Sequence, residues 1–437
     1  MTFHPHTPIR RPLRRLRAAA LGAVALAVCA GCGSPARTSG AAGYPSGPAA
    51  GTVSLPLVTS ASTAQAAWAV LPMGAQSGPN EFWQLFLLQA GASRWSLATP
   101  PDVATNGAIA LAGLSGHALV IGIHPSLYLT YSPVSDSSNA GRTWAPAQPA
   151  PGLASVPDSL AATPGGTDML ALDRAGQAQF GRANGTAWST VTTAPSLAAT
   201  PAGRSCGLTS LTAVALTPAG TPLIGGDCTH PGVAGIFTSA ITMTGSTGTG
   251  GSTSTSAGGS TSTSTGTGGS TSTRTDGSSA WVAAGPALPA ALSGQPVRVL
   301  RLTDTGQQQV VILQAGTGAS ATLLTAWRSG TGPWTSSPPL PLAGASVLSS
   351  SFGSGGGVAV VLSSGRGAVI TGPHGQWQRT PPIPPGQGMT LAQPPAGGLE
   401  ALTTQGGEFT AWRLPPGATA WTKAQTMSVP IQYGSSN

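Results

Sequence analysis

Few residues in this 437-residue chain have the types and spacing that chemistry demands. Gly203-Arg204-Ser205-Cys206-Gly207 matches Gly-x-Ser-x-Gly, a pattern that exposes a serine nucleophile where a strand turns sharply into a helix. No strand–turn–helix pattern surrounds it, and with 62 Gly in the chain such a match arises readily by chance. Asp168 and Asp173 would serve as paired carboxylates in glycoside hydrolysis only if they faced one cavity. Their spacing instead places them at the two ends of one strand. His117, His230 and His374 show no ligand spacing. Gly353-Ser354-Gly355-Gly356-Gly357 lacks the Lys-Ser/Thr pair and the helix that a phosphate loop requires. All of these read as turn or surface residues, so no catalytic residue, cofactor site or metal site is expected.

The four cysteines divide into two pairs. Five arginines (10, 11, 14, 15 and 17) precede the small or apolar run Ala18–Gly31. A membrane-spanning helix needs about 20 apolar residues, so this basic-then-apolar pattern is that of an export signal. Cys29-Ala30-Gly31-Cys32 follows and resembles a bacterial lipobox, with small residues before the final cysteine and Cys29 in the place usually held by Leu. The resemblance implies removal of residues 1–31 and lipidation of Cys32, which would anchor the protein outside the cytoplasm on the cell membrane. Residues 32–50, rich in Ser, Gly, Pro and Ala, read as a flexible tether.

Stepping along the remainder, a rhythm emerges that any candidate site must sit on. Trp95, Trp144, Trp188, Trp281, Trp334, Trp377 and Trp421 each lie shortly after a glycine, at spacings of 49, 44, 93, 53, 43 and 44. The long interval contains the Gly/Ser/Thr segment 244–279, a neutral spacer whose removal leaves 57. Short β-rich runs fill the intervals. Examples are Val53–Ser60, Ala66–Leu71 and Phe82–Gln89 before Trp95, and Ala108–Ala112, Ala118–Ile123 and Leu127–Tyr131 before Trp144. Three runs and a Trp-led fourth, repeated, are the signature of four-stranded propeller blades. The expectation is an all-β, seven-bladed β-propeller of antiparallel blades over 51–437. With 62 Gly and 40 Pro, close to a quarter of the chain, long helices are disfavoured.

Ser137-Ser-Asn139-Ala-Gly141-Arg-Thr-Trp144 resembles the Asp-box, or BNR repeat, of sialidase-like propellers, with Asn139 in place of the usual Asp. An Asx side chain there accepts nearby backbone N–H groups, glycine permits positive φ, and the indole packs under the turn. The box is therefore structural. Cys206 and Cys228 flank Leu216-Thr-Pro-Ala-Gly220, and a hairpin centred on residue 217 would oppose them as a disulfide in an oxidising compartment.

The sialidase resemblance implies an arginine triad, a Tyr–Glu pair and an Arg-Ile-Pro motif. No Arg-Ile-Pro follows the signal, and Glu is reduced to Glu81, Glu400 and Glu408. The formal charge of +8 also shrinks, because beyond residue 17 only 14 basic residues face 11 acidic ones, without a basic stripe. Nucleic acid is therefore excluded as a partner. The expected function is a monomeric, non-enzymatic scaffold that binds a protein or glycan at one mouth of the channel, where loops from all blades converge. The rivals are a sialidase-like glycoside hydrolase and a factor resembling the propeller assembly factors of photosystem II.

Overall fold

The computed structural model describes residues 59–74, 82–100, 103, 109–114, 117–122, 134–147, 157–166, 168–173, 175–182, 188–239 and 281–430. Cys32 and its export segment, the tether and the 244–279 spacer lie outside them. The fold is an all-β propeller. Among the described residues the strands form successive antiparallel groups, each of four strands in sequence order. Blade 1 comprises Thr59–Ser62, Ala66–Met73, Phe82–Gln89 and Ser96–Leu97. Blade 2 comprises Ile109–Leu114, His117–Gly122, Val134–Ser137 and Ala145–Ala147. Blade 3 comprises Ser159–Ala162, Asp168–Leu172, Gln177–Arg182 and Ser189–Thr193. Blade 4 comprises Leu208–Leu216, Pro222–Cys228, Gly235–Ser239 and Trp281–Ala283. Blade 5 has Val297–Asp304, Gln309–Ala315, Thr322–Arg328 and a split outer strand, Thr335–Ser336 with Leu340–Pro341. Blade 6 has Val347–Phe352, Val358–Leu362, Arg366–Ile370 and Gln378–Pro382, and blade 7 has Gly388–Ala392, Leu399–Gln405, Glu408–Leu414 and Thr422–Ser428.

These strands are apolar on both faces, which a single sheet cannot satisfy alone. In Ala66–Met73, the residues Ala67, Ala69, Leu71 and Met73 pack against Leu402, Phe409 and Ala411 of blade 7. The alternate residues Ala66, Trp68 and Val70 pack against Ile109 and Leu111 of blade 2. Val310 and Ile312 likewise face blade 6 while Val311 and Leu313 face blade 4. The period of two thus feeds two cores per sheet, and each neighbouring pair of blades shares one core, blades 7 and 1 included.

Every marker tryptophan belongs to a different one of these cores. Trp144, Trp188, Trp281, Trp334, Trp377 and Trp421 each sit between their own blade and the preceding one, and Trp95 sits between blades 7 and 1. Several indole N–H groups donate across that boundary. Trp334 Nε1 donates to Ala284 O at 2.7 Å, Trp377 Nε1 to Pro338 O at 3.0 Å and Trp421 Nε1 to Pro381 O at 3.2 Å. In Trp95 the same reach closes the ring, from Nε1 to Glu400 Oε2 of blade 7 at 2.7 Å. Gln425 of blade 7 adds two more bonds, accepting from Trp95 N at 2.7 Å and donating to Trp95 O at 2.8 Å.

The structure departs from the sequence expectations in three places. The third strand of blade 2 is Val134–Ser137, while Leu127–Tyr131 lies outside the described residues. Two short helices, Ala194–Ala198 and Pro201–Cys206, join blades 3 and 4. Their origin is local: Thr193 and Thr200 cap them through side-chain oxygens, and Pro195 and Pro201 pre-set the first turns. Finally, the hairpin of blade 4 pairs Leu216 with Pro222, so its turn is centred on residue 219 and not on 217, and two bulges then shift the pairing so that Leu208 faces Cys228.

Candidate functional site

A cavity of about 240 Å³ lies at the centre of the propeller, lined by the innermost strands of blades 1 to 6. Its walls are mostly small residues, such as Ala61, Ala112, Gly113 and Ala162, which leave space at the axis. One side is closed by direct parallel pairing of the innermost strands of blades 1 and 6, Thr59–Ala61 against Ser350–Phe352. Thr59 Oγ1 donates to Ser350 O at 3.0 Å, and Ser60 Oγ donates to Leu391 O of blade 7 at 2.6 Å. Accordingly no residue of Gly388–Ala392 lines the cavity.

The ionisable residues of the described lining are Arg301, Asp304 and Asp158. Arg301 owes its aim to a β-bulge. In the innermost strand of blade 5, Val299 pairs with Leu313 and Arg301 with Ile312, so Leu300 is the extra residue. A bulge re-aims the side chain that follows it, and here Arg301 joins Leu300 on the face toward blade 6. Its guanidinium carbon lies 5.8 Å from the centroid of the Phe352 ring. Among the described residues no carboxylate or hydrogen-bond acceptor holds this group. Burial pushes its pKa down to about 10, which leaves it charged at neutral pH. Enclosure by protein on most sides coexists with an opening onto the cavity, to which part of the side chain remains exposed.

Asp304 is differently placed. Burial raises its pKa, and the Gly306 N–H, the Gln309 side chain and the charge of Arg328 work in the opposite direction. Its Oδ1 accepts from Gly306 N at 2.7 Å. Arg328 in turn donates from Nε to Gln309 Oε1 at 2.8 Å and lies 4.7 Å over the Trp334 ring. Asp304 is thus held by its own blade, with little freedom to act as a general acid or base. Among the described lining residues there is no Glu, His, Cys or Tyr.

The residues singled out in the sequence lie elsewhere. Cys206 and Cys228 form a disulfide with a Cα–Cα distance of 5.1 Å, although Cys206 enters it from the end of a helix and not from the expected opposing strand. That same helix contains the Gly-x-Ser-x-Gly match, and Ser205 Oγ donates to Ala202 O at 2.7 Å, so no nucleophile is presented. In the turn that resembles an Asp-box, Ser137 Oγ accepts from Gly141 N at 2.8 Å and Asn139 Oδ1 accepts from Thr143 N at 2.9 Å. Ala140 and Gly141 carry the positive φ values of this turn, 58° and 80°, and Trp144 packs into the core shared by blades 1 and 2.

Asp168 pairs with Arg182 at 3.3 Å, while Asp173 accepts from Ala175 N and Gln177 N in the next turn. They share no cavity. Gly353–Gly357 forms the turn at one rim of the central cavity, where Trp327 Nε1 donates to Gly356 O at 2.7 Å and the end of the Gln393 side chain packs over Gly353 and Gly357. Among the described residues no His/Cys/Asp/Glu cluster could hold a metal ion, and no helix is long and apolar enough to cross a membrane. Arg301 escaped the sequence reading. The signal was present in Val297-Arg-Val-Leu-Arg301, where two arginines three apart interrupt an apolar strand and break its alternation.

No protein-family model matches the chain, and no curated protein matches it. Among solved structures it is similar to the GH74 xyloglucanase from Xanthomonas campestris, with 12% identity over 85% of this chain and 54% of that one and a TM-score of 0.49. It therefore spans about half the length of that enzyme. A protein from Lactobacillus plantarum is 13% identical over 84% of this chain and 97% of that one, with a TM-score of 0.47. YCF48 from Cyanidioschyzon merolae is 12% identical over 86% and 96%, with a TM-score of 0.40.

Proposed function

We propose that this protein is an exported lipoprotein, anchored to the cell membrane through Cys32, whose seven-bladed propeller is a non-enzymatic binding scaffold for a protein or glycan. The observation that carries the reading is the central cavity: six innermost strands surround it, yet the ionisable groups of its described lining are one guanidinium and two aspartates. Such a set can hold and orient a ligand. Among the described lining residues there is no Glu, His, Cys or Tyr to serve as nucleophile or base, and Asp304 is held by its own blade. The scaffold is expected to act as a monomer, with the tether spanning the distance from the membrane.

The test is co-purification from native membranes with the full-length protein, compared with a Cys32→Ala form. The expected result is a specific partner recovered with the lipidated form and depleted from the membrane fraction with the variant. Reproducible glycosidase turnover by the purified full-length protein would overturn the non-enzymatic reading.

A further inference from the structure

We propose that one face of the propeller is a docking surface for an anionic lipid bilayer, formed by a basic arc across blades 6, 7, 1 and 2. The cations concerned are scattered singly in the sequence, and the repeat gathers them. In a four-stranded antiparallel blade, the first-to-second and third-to-fourth turns lie at the same end. The blades of this arc turn that end to one side. The innermost strands of blades 1 and 6 run parallel. Trp95, after the third strand of blade 1, bonds to Glu400 near the start of the second strand of blade 7, and Arg142 of blade 2 donates to Gln89 of blade 1.

Arg94 and Arg142 lie in the third-to-fourth turns of blades 1 and 2. Arg379 and Lys423 lie near the start of the outer strands of blades 6 and 7, and Arg413 near the end of the third strand of blade 7. All of these are exposed. Among the described residues only Arg413 of this set pairs with a carboxylate, that of Glu400. The described carboxylates at this end of the four blades, Glu400 and Asp136, are buried and half-buried, so the charge that reaches the surface is positive. At the opposite end of blades 6 and 7 the exposed described charges balance, Arg366 against Glu408.

The form of this surface selects its occupant. The cations are spread over four blades, too widely for one small anion to bridge. A sheet of negative headgroups meets them together, and each Lys or Arg beside such a surface strengthens attachment about fivefold. Leu97, 41% exposed, lines the same cleft as Arg142 and adds an apolar contact among the cations. The choice of a bilayer rests on the anchored reading above, because a lipidated Cys32 keeps the membrane within reach. Thr59 starts its strand at the end away from the arc. Residues 33–58 nevertheless extend to roughly 85–95 Å, several times the roughly 15–30 Å length of a blade's strands, so the tether lets the arc turn to the membrane.

The experiment places the full-length lipidated protein on vesicles of phosphatidylcholine alone and of equal parts phosphatidylcholine and phosphatidylglycerol. Amide hydrogen exchange is followed in the third-to-fourth turns of blades 1, 2, 6 and 7, with the turns bearing Arg366 and Glu408 as controls. The arc turns should exchange about threefold slower or more on the mixed vesicles than on the neutral ones, with the controls unchanged. Protection should vanish near 1 M salt, where the screening length falls to about 3 Å. It should also vanish in R94Q/R142Q/R379Q/K423Q and persist in the charge-keeping R94K/R142K/R379K; the salt arm and the Lys set decide the matter even where the Gln set does not fold. Equal exchange on both vesicles, protection of the controls instead, or protection that survives high salt would each overturn the proposal. Protection by soluble poly-glutamate but not by the mixed vesicles would overturn it in favour of an acidic protein. Flotation with neutral vesicles tests the anchor separately: if it fails while the arc is protected on mixed vesicles, the anchored reading falls and the docking face stands.

Discussion

Removing the Glu400 carboxylate should open the junction between blades 7 and 1, and the size of the loss can be worked out bond by bond. Glu400 is 3% exposed and accepts from Trp95 Nε1 at 2.7 Å through one oxygen. Its other oxygen takes both Arg413 Nε at 3.0 Å and Arg413 Nη2 at 2.8 Å. In Glu400→Ala the Trp95 N–H, whose residue is 4% exposed, is left without that acceptor, at a cost of about 1–3 kcal/mol. The Arg413 side chain is 51% exposed, so the ion pair itself adds no more than about 1 kcal/mol. The one buried methylene lost, with the partly collapsed cavity it leaves, adds about 1 kcal/mol more. The total is about 3–5 kcal/mol. Glu400→Gln keeps a carbonyl for the indole and should cost only about 1 kcal/mol. Urea denaturation at unchanged m reads these differences from the midpoint. In a double-mutant cycle with Trp95→Phe, the cost of Glu400→Ala should drop by about 1 kcal/mol or more, because no N–H remains to be stranded. A Gln variant as unstable as the Ala variant, or a cycle with no coupling, would refute the view that the indole–carboxylate bond holds the ring closed.

Three further outcomes are expected. Reducing Cys206–Cys228, or replacing Cys228 with Ser, releases a link across 22 residues and should lower stability by about 3 kcal/mol in the same denaturation assay; an unchanged midpoint would show that the helix end and the strand hold without it. Arg301→Gln should raise stability: burial pulls the guanidinium pKa down to about 10, a change worth at most about 3 kcal/mol, and about half that once solvent in the cavity is counted. For this base the folded pKa lies below the unfolded one, so the penalty is full below about pH 10 and fades above it; the advantage of the variant should therefore shrink as unfolding is measured from pH 8 toward pH 11, and a constant or growing gap would contradict the assignment. Gly141→Ala should lose about 2 kcal/mol or more, since its φ of 80° disfavours any side chain and a Cβ would meet Leu87 at 3.1 Å and Trp68 at 3.2 Å; Gly91→Ala, with the same φ and open space, should lose only about 1 kcal/mol, and equal losses would show that crowding contributes nothing.

The architecture was legible because it is written in two short-range signals. Alternation such as Val358-Ala-Val-Val-Leu362 gives a strand with two apolar faces, and a recurring indole marks where each outer strand begins. Where those signals thin, boundaries move. The innermost strand Val347–Phe352 contains Ser349, Ser350 and Ser351, whose burial no hydrophobicity pattern announces. The two short helices were encoded by Thr193 with Pro195 and by Thr200 with Pro201, local capping signals that a β-rich composition masks. Disulfide partners could be paired by count, but their opposition in a simple hairpin fails because the turn is centred two residues later than the symmetric one and Cys206 ends a helix before the strand begins at Leu208. The central chamber was the least legible part. It is assembled from one or a few residues of each of six distant strands, and the guanidinium at its wall depends on a single extra residue in one of them.

The bond between Trp95 and blade 7 also means that the first and last blades are joined by packed side chains and not by a strand shared between them. Blades 1 and 7 each complete their own four strands, and the link between them starts from an indole N–H as the Trp377 and Trp421 links do, but ends on the Glu400 carboxylate where those end on backbone carbonyls. Where the polypeptide is interrupted is then a matter of covalent connectivity alone. A circular permutant opened at the exposed Ala343-Gly344 turn, with the original ends joined, would keep every inter-blade indole in place. During synthesis, by contrast, the order matters: the first sheet emerges with one apolar face bare and stays so until the last some forty residues arrive to cover it.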